Sequence, residues 1–182
     1  MENSEPIEKL VVDLFNKNCI KFGKFTLKNG TISPIYIDLK NIISYPYLVN
    51  TVCSFFVNKI KNLDFDYICG VPYGGIPIAS IISNKANIPM IMVRKELKKY
   101  GLKKSIEGEY ESGKSCILIE DTITTGSSVN KFIQMLNSEG IEVKYVFVIC
   151  DRRDNTVPPP LGYEIISLFN SSADISGFAA LN

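Results

Sequence analysis

The fold of the core is set by the stretch CILIEDTITTGSS, residues 116–128. Its first four residues are apolar, as in a buried strand, and two adjacent carboxylates, Glu120 and Asp121, follow them. A loop of small residues, 124–128, then leads into the amphipathic pattern of a helix. An apolar strand that runs directly into a helix is typical of α/β proteins, in which helices cover both faces of a parallel sheet.

The same alternation of apolar strands and helices continues on both sides of this stretch. The predicted strands are residues 67–71, 90–93, 115–120, 143–150 and 163–169. The predicted helices between them are residues 75–85 and 128–138, and a long polar loop covers residues 95–114. The sequence therefore predicts an α/β fold with a central, mainly parallel sheet flanked by helices. Ligands bind at the carboxyl ends of such strands, so a site is expected in the loops there.

The segment before residue 46 has a different pattern. Apolar residues spaced at helical intervals predict an amphipathic helix over residues 5–17. Two short strands, 25–28 and 33–39, flank the turn Asn29-Gly30, which is a strong hairpin signal. Pro46 suits the first turn of the next helix. We expect a single domain over residues 1–182, with N-terminal elements in residues 1–45 and a core in residues 46–170.

The chain of 182 residues contains no histidine. This excludes a Ser-His-Asp triad, histidine-ligated zinc and an imidazole general base. The 20 Lys and Arg residues nearly balance the 19 Asp and Glu residues, so a nucleic acid is not expected as a partner. No apolar run approaches the roughly 18 residues of a membrane span, so we expect no membrane contact. The five cysteines are expected to be buried, reduced thiols of a cytoplasmic protein.

The loop at residues 124–128 has the chemistry of an anion site. Backbone N–H groups at a helix N-terminus attract a phosphate, and Gly126 lets the backbone approach it closely. Further donors are the hydroxyl groups of Thr124, Thr125, Ser127 and Ser128. Glu120 and Asp121 can accept hydrogen bonds from sugar hydroxyls or hold the water shell of Mg²⁺. The alternative is a plain strand-to-helix turn in which Ser127 caps the helix.

A second charged segment lies in the long loop. Residues 94–104 carry six cationic side chains against one acid, Glu96. The cations are Arg94, Lys95, Lys98, Lys99, Lys103 and Lys104. Such a loop either closes over a polyanionic ligand or is simply solvated, and its length favours a functional lid.

The complete run of residues 116–128 resembles the 5-phosphoribosyl 1-pyrophosphate (PRPP) motif of the type I phosphoribosyltransferases. Further matching segments are FTLKNGTISPIYID (25–38), CGVPYGGIPIA (69–79), VRKELKKYG (93–101), IEG (106–108) and Asp151-Arg152. Together they resemble the orotate phosphoribosyltransferases, especially the domain found in the UMP synthases of eukaryotes. The resemblance covers roughly residues 7–170.

This resemblance implies the type I phosphoribosyltransferase fold, with a small N-terminal hood over residues 1–45 and a long flexible catalytic loop over residues 95–114. It implies transfer of the phosphoribosyl group from PRPP to orotate, giving orotidine 5′-monophosphate (OMP) and pyrophosphate, in UMP biosynthesis. It also implies a homodimer in which each loop reaches the partner's site. Mg²⁺ is the implied cofactor, held mainly by PRPP and water near Glu120 and Asp121, with no direct protein ligand.

The resemblance also assigns roles to individual residues. Lys98 matches the central catalytic lysine, and Glu120 and Asp121 match the acids that hold the ribose. The residues implied to bind PRPP are Tyr73, Gly74, Arg94, Lys95, Lys98, Glu120, Asp121, Thr122, Thr124, Thr125, Gly126, Ser127 and Ser128. Those implied to bind orotate are Lys28, Tyr36, Ile37, Thr124 and Arg152. Lys28 matches a contact either to orotate or to pyrophosphate, and Tyr36 and Ile37 fit the orotate ring and the protein core equally well.

Three positions depart from the family pattern. Lys99 stands where the family usually has an acid, and Tyr100 where bacterial members have histidine. Gly74 replaces a lysine that touches pyrophosphate in bacterial members. The positive charge near pyrophosphate is therefore expected from Arg94, Lys95 and Lys98, while a contribution from Lys99 stays open.

Other interpretations also stay open. The chain could use another base, such as uracil or a purine, or it could be a regulator that kept the PRPP site without catalysis. The 12 residues after residue 170 leave no room for a decarboxylase domain. We therefore expect either a stand-alone enzyme, with a separate OMP decarboxylase as a candidate partner, or a piece of a longer protein.

Overall fold

The computed structural model describes residues 4–26, 30, 32–95, 105–153, 162–171 and 175. The N-terminal part begins with helix α1 (Ser4–Asn16), which is followed by strands β1 (Ile20–Thr26) and β2 (Ile32–Ile37). These two strands form a separate antiparallel pair. A 3₁₀ helix (Leu39–Ser44) then leads into α2 (Pro46–Ile60), where Pro46 occupies the first turn as predicted.

The remaining elements alternate between strand and helix. They are β3 (Tyr67–Gly70), α3 (Gly75–Ala86), β4 (Met90–Val93), β5 (Ile106–Glu107), β6 (Ser115–Ile123), α4 (Ser127–Ser138), β7 (Glu142–Asp151) and β8 (Ile165–Asn170). The strands form a six-stranded sheet in the order β5-β4-β3-β6-β7-β8. All neighbours are parallel except β4 and β5. The predicted mainly parallel α/β sheet is confirmed.

Helices cover both faces of this sheet because alternate residues of each strand point to opposite sides. Ile117 and Ile119 of β6 pack in a cluster with residues of α1, α2 and α3. Cys116 and Leu118 of the same strand pack on the other side, in a cluster with residues of α4. β6 lies between these two cores, so its carboxyl end is held rigidly at the centre of the sheet edge.

Several element boundaries differ from the sequence-based prediction. β1 begins at Ile20 rather than at residue 25, and its register shifts between Phe22 and Phe25. Gly23, with φ +156°, lies inside this irregularity and interrupts the alternation that predicts a strand. β5 lies within the segment predicted as a loop, because two residues are too few to show periodicity. β6 continues past Glu120 to Ile123 and pairs there with β7.

All five cysteines are buried, as predicted. None of the helices formed by the described residues combines the length and the apolar character that a membrane crossing requires.

Candidate active site

The loop of small residues that the sequence predicts to bind an anion lies between β6 and α4. Gly126 adopts a left-handed conformation, with φ +76°, immediately before Ser127 begins α4. Glycine takes this conformation without the strain that a Cβ would add. No side chain caps the helix, so the alternative in which Ser127 acts as the cap is wrong. The Ser127 amide donates to Thr125 Oγ1 at 3.4 Å, and the cap residue Gly126 has no side chain to bind the amides that follow, so the first turn of α4 remains suited to an anion.

A small pocket of about 60 Å³ opens at this loop. It is lined by Glu120, Thr122, Ile123, Thr124, Thr125, Gly126, Ser127, Ser128 and Val129. The hydroxyl groups of Thr125 and Ser127 lie 2.9 Å apart and hydrogen-bond to each other. The structure thus brings the predicted loop residues together with Glu120, one of the two predicted carboxylates.

Glu120 and Asp121 are almost completely buried at the end of β6, with 6% of each residue exposed. The Asp121 amide donates to Glu120 Oε1 at 2.9 Å, and the Thr122 amide donates to Asp121 Oδ1 at 2.9 Å. Burial, together with the hydrogen bond and charge of Asp121, raises the pKa of Glu120 well above its ordinary value. Two adjacent, buried carboxyl groups need a compensating cation or hydrogen-bond donors from a ligand.

The compensating cation is Lys40, which sequence reasoning missed. Its Nζ lies 3.2 Å from Asp121 Oδ2, although the geometry is that of an ion pair rather than a hydrogen bond. Partial burial lowers the pKa of Lys40, but the nearby carboxylates of Asp121, Asp38 and Glu120 outweigh this and raise it. The pair joins the 3₁₀ helix to β6, 81 positions apart in the sequence, and no local pattern indicates it.

The loop after β3 packs directly against the carboxylates. A Cβ on Gly74 would collide with the side chain of Asp121, and one on Gly75 would collide with the Ile119 carbonyl oxygen. The peptide bond between Pro72 and Tyr73 is cis. Gly74 therefore lies beside the predicted ribose site, as its predicted role in PRPP binding requires.

Two predicted pyrophosphate residues lie at the end of β4. Lys95 Nζ lies 5.1 Å from the ring centroid of Tyr73, which is 66% exposed. Arg94 forms an ion pair with Glu107 of β5. These residues line a pocket of about 430 Å³ together with Pro72, Ile76, Met92 and Val93. The structure thus brings Tyr73, Arg94 and Lys95 together, while Glu107 is a partner of Arg94 that sequence reasoning missed.

The predicted orotate residues fall into two groups. Tyr36 is 40% exposed and its ring lies 5.4 Å from that of Phe25, whereas Ile37 is buried in the core with 8% exposure. The Arg152 amide donates to the Ile123 carbonyl at 2.8 Å, which places Arg152 beside the end of β6. Within the described part of the chain no carboxylate pairs with Arg152.

Arg153 differs from its neighbour. Its guanidinium donates to both oxygens of Asp151, with Nη2 2.7 Å from Oδ2. This arginine is therefore already paired, which favours Arg152 over Arg153 as the ligand-binding member of the two.

Several residues discussed above lie outside the described residues, namely Lys28, Asn29, Glu96, Lys98, Lys99, Tyr100, Lys103 and Lys104. Among the residues that are described, no group of three His, Cys, Asp or Glu side chains is arranged to hold a metal ion.

The chain matches the model of the phosphoribosyl transferase domain over residues 46–173. It is 43% identical over 152 residues to uridine 5′-monophosphate synthase of Bos taurus, a match that covers 80% of this chain and 32% of that protein. It is 37% identical over 149 residues to orotate phosphoribosyltransferase of Pyrococcus horikoshii, covering 81% of this chain and 80% of that protein.

Among solved structures, UMP synthase of Leishmania donovani superposes with a TM-score of 0.80 at 33% identity. This match covers 96% of the present chain and 42% of the Leishmania chain. The present chain therefore spans about a third of the bovine relative and less than half of the Leishmania structure, but most of the archaeal relative.

Proposed function

We propose that this chain, which belongs to the phosphoribosyltransferase family and within it to the orotate phosphoribosyltransferases, transfers the phosphoribosyl group of PRPP to orotate. The products are OMP and pyrophosphate, and the reaction is a step of pyrimidine biosynthesis. The predicted family and type I fold are confirmed by the matches. The observation that carries the proposal is the buried pair Glu120 and Asp121, followed at once by the Gly126 loop and the N-terminus of α4.

The loop at residues 124–128 is proposed to bind the 5′-phosphate of PRPP. The N-terminus of α4 supplies backbone N–H groups and the positive end of the helix dipole. Thr124, Thr125, Ser127 and Ser128 supply hydroxyl donors around the same pocket. Because the pocket is small, it suits a phosphate group rather than a whole nucleotide.

Glu120 and Asp121 are proposed to hold the ribose hydroxyls. Carboxylates bind such donors through strong, charge-assisted hydrogen bonds. As pyrophosphate leaves C1 of the ribose, positive charge develops on the sugar. Fixed negative charge on the buried Asp121 carboxylate stabilises that charge without reorganisation. We therefore propose that these two acids serve both in binding and in catalysis.

Tyr73, Gly74, Arg94 and Lys95 are proposed to bind pyrophosphate. They lie after the carboxyl ends of β3 and β4, and Gly74 among them packs against Asp121. Arg94 would exchange its ion pair with Glu107 for the more highly charged ligand. Lys98 is proposed as the catalytic lysine that stabilises the leaving group. It acts with Arg94 and Lys95 because a polyanion departs there.

Orotate is proposed to bind between the N-terminal hood and the end of β7. The planar fork of Arg152 matches the carboxylate of the base, and the side chain has no carboxylate partner among the described residues to compete with it. Tyr36 and Ile37 are proposed to contact the ring, and Lys28 and Thr124 its polar edge. Orotate is already acidic, so the transfer needs little proton movement, and positioning supplies much of the rate.

Mg²⁺ is the proposed cofactor. Asp121 Oδ2 is buried and accepts no hydrogen bond within the described part of the chain, so it fits the role of an acceptor for metal-bound water. Glu120 offers a second carboxylate beside it. Bound Mg²⁺ would offset the charge of pyrophosphate. A homodimer that shares its loops, a cytoplasmic location and a separate OMP decarboxylase as partner are also proposed.

The test is loss of orotate ultraviolet absorbance when purified protein, PRPP and Mg²⁺ are mixed. Lys98→Ala should lower kcat by at least roughly 100-fold, because a charge that stabilises the leaving group is lost. Lys144→Ala is the matched control, since Lys144 pairs with the exposed Asp64. Full activity in Lys98→Ala would show that the loop assignment is wrong, and no turnover by folded wild-type protein would refute the proposed function.

A further inference from the structure

We propose that Lys40 is a positioning residue for the ribose, because it holds Asp121 Oδ2 in the orientation in which that oxygen accepts a ribose hydroxyl of PRPP. This inference rests on the proposed function, since it assigns a role to the contacts of the ribose-binding carboxylate. Lys40 lies in the 3₁₀ helix, outside the motifs that indicate PRPP binding.

Two backbone groups next to the Asp121 carboxylate limit the movement of its side chain. The Thr122 amide donates to Oδ1 at 2.9 Å, and Gly74 packs so closely that no Cβ would fit between them. The remaining oxygen, Oδ2, is buried and accepts no hydrogen bond from the described residues. Its nearest charged neighbour there is Lys40 Nζ at 3.2 Å. Lys40 is therefore the group that sets the direction of the free oxygen.

The two ends of this ion pair differ sharply in exposure. The Lys40 side chain is 62% exposed, whereas the Asp121 side chain is 8% exposed. The lysine thus reaches its partner from the solvent side, and its stem fills no part of the core. Because Lys40 approaches from the solvent side, a ligand hydroxyl can share Oδ2 with the ammonium without disturbing the packing around Asp121.

Other lysine ion pairs in the described part of the chain are of a different kind. Lys114 and Lys144 pair with Asp66 and Asp64, whose side chains are 35% and 100% exposed. Such pairs contribute little, because water and salt screen both charges. Lys40 instead compensates buried charge, since neither Glu120 nor Asp121 has another ion pair among the described residues. Loss of Lys40 would leave that buried charge uncompensated.

The experiment measures binding of two fragments of PRPP to the purified full chain by calorimetry. Ribose 5-phosphate carries the ribose hydroxyls, and pyrophosphate carries the leaving group. Lys40→Met keeps the length of the side chain and removes its charge, Lys40→Arg restores the charge, and Lys144→Met is the matched control. We expect Lys40→Met to weaken ribose 5-phosphate binding and to raise KM for PRPP by about tenfold, as for loss of one charge-assisted hydrogen bond.

Four further results are expected. Lys40→Met should leave pyrophosphate binding and KM for orotate unchanged, because the lysine acts on the ribose through Asp121, and it should lower the melting temperature, because the buried Asp121 carboxylate loses its compensating charge. Lys40→Arg should bind ribose 5-phosphate within about twofold of wild type. Lys144→Met should match wild type. In an Asp121→Asn background, Lys40→Met should have no further effect, since the pair is already broken.

Each other outcome overturns the inference. Equal weakening of pyrophosphate and ribose 5-phosphate would mean that Lys40 acts only through its general charge. Unchanged or tighter ribose 5-phosphate binding in Lys40→Met would mean that it has no positioning role. Failure of the proposed function gives a different result. Wild-type protein would then bind ribose 5-phosphate and respond to Lys40→Met without consuming orotate, whereas failure to bind either fragment would contradict both proposals.

Discussion

Gly74→Ala tests how tightly the loop after β3 packs against the Asp121 carboxylate. Gly74 has φ −68° and ψ −34°, which any residue adopts, so alanine brings no backbone strain. Its Cβ would instead collide with the carboxyl group of Asp121 and lie 2.8 Å from Asp121 Cβ. Rotation of the Asp121 side chain does not move its Cβ, so the collision cannot be avoided in that way.

Two opposing effects determine how much Gly74→Ala changes the free energy of unfolding. Overpacking of this kind destabilises by about 1–3 kcal/mol. Replacing glycine by alanine in a compatible conformation stabilises by about 0.4–1 kcal/mol, through the unfolded chain. Gly74→Ala should therefore lower the free energy of unfolding by roughly 1–2 kcal/mol, which corresponds to about 2–8 °C in melting temperature for a chain of this size.

A double-mutant cycle isolates the contact. Asp121→Gly removes every Asp121 side-chain atom that the new Cβ would meet, so in that background Gly74→Ala should stabilise by about 0.4–1 kcal/mol. Gly75→Ala is the matched control, because its Cβ would meet backbone atoms of Ile119 and Glu120. Asp121→Gly should therefore not reduce the destabilisation that Gly75→Ala causes. Urea unfolding at one fixed protein concentration gives all the free energies. Equal destabilisation by Gly74→Ala in both backgrounds would refute the close packing of Gly74 on Asp121.

Three further predictions concern the pH dependence, the thiols and the two arginines. Burial raises the pKa of Glu120, so the folded protein keeps a proton that the unfolded chain loses above about pH 4.5, and stability falls as pH rises. Glu120→Gln should flatten this fall between about pH 5 and 8 in melting scans, and an unchanged slope would contradict the assignment. Burial raises the pKa of Cys69 to about 12, and all five thiols are buried, so a disulfide reagent should label them only after unfolding. Arg152→Ala should raise KM for orotate by roughly 10- to 100-fold, whereas Arg153→Ala should mainly lower stability; the reverse pattern would exchange their roles.

The strands of the sheet and the turn at Gly126 could be predicted from the sequence, because neighbouring residues determine both. Uninterrupted apolar runs at residues 67–71, 116–119 and 146–150 indicate strands that are buried on both faces. The Gly126 turn requires a residue that tolerates a left-handed backbone. Each of these requirements is met by residues adjacent in the sequence, so a sequence pattern records it.

The other parts of the site depend on contacts between distant segments. Lys40 meets Asp121 only because the 3₁₀ helix lies over the end of β6, and a lone lysine in the sequence carries no sign of this. From the sequence, Gly74 is a position that lacks the lysine of bacterial members, or one whose backbone contacts PRPP. Its close approach to Asp121 is visible only in three dimensions. Arg152 and Arg153 are alike in sequence, and the Asp151 pair separates them.

The most direct test of the proposed function is release of pyrophosphate from PRPP with a panel of bases, followed by phosphorus NMR in the presence of Mg²⁺. The account predicts release with orotate and formation of OMP, and no release above background with uracil, adenine or hypoxanthine. Release with uracil or a purine but not with orotate would contradict the account. So would binding of PRPP without release in the presence of orotate.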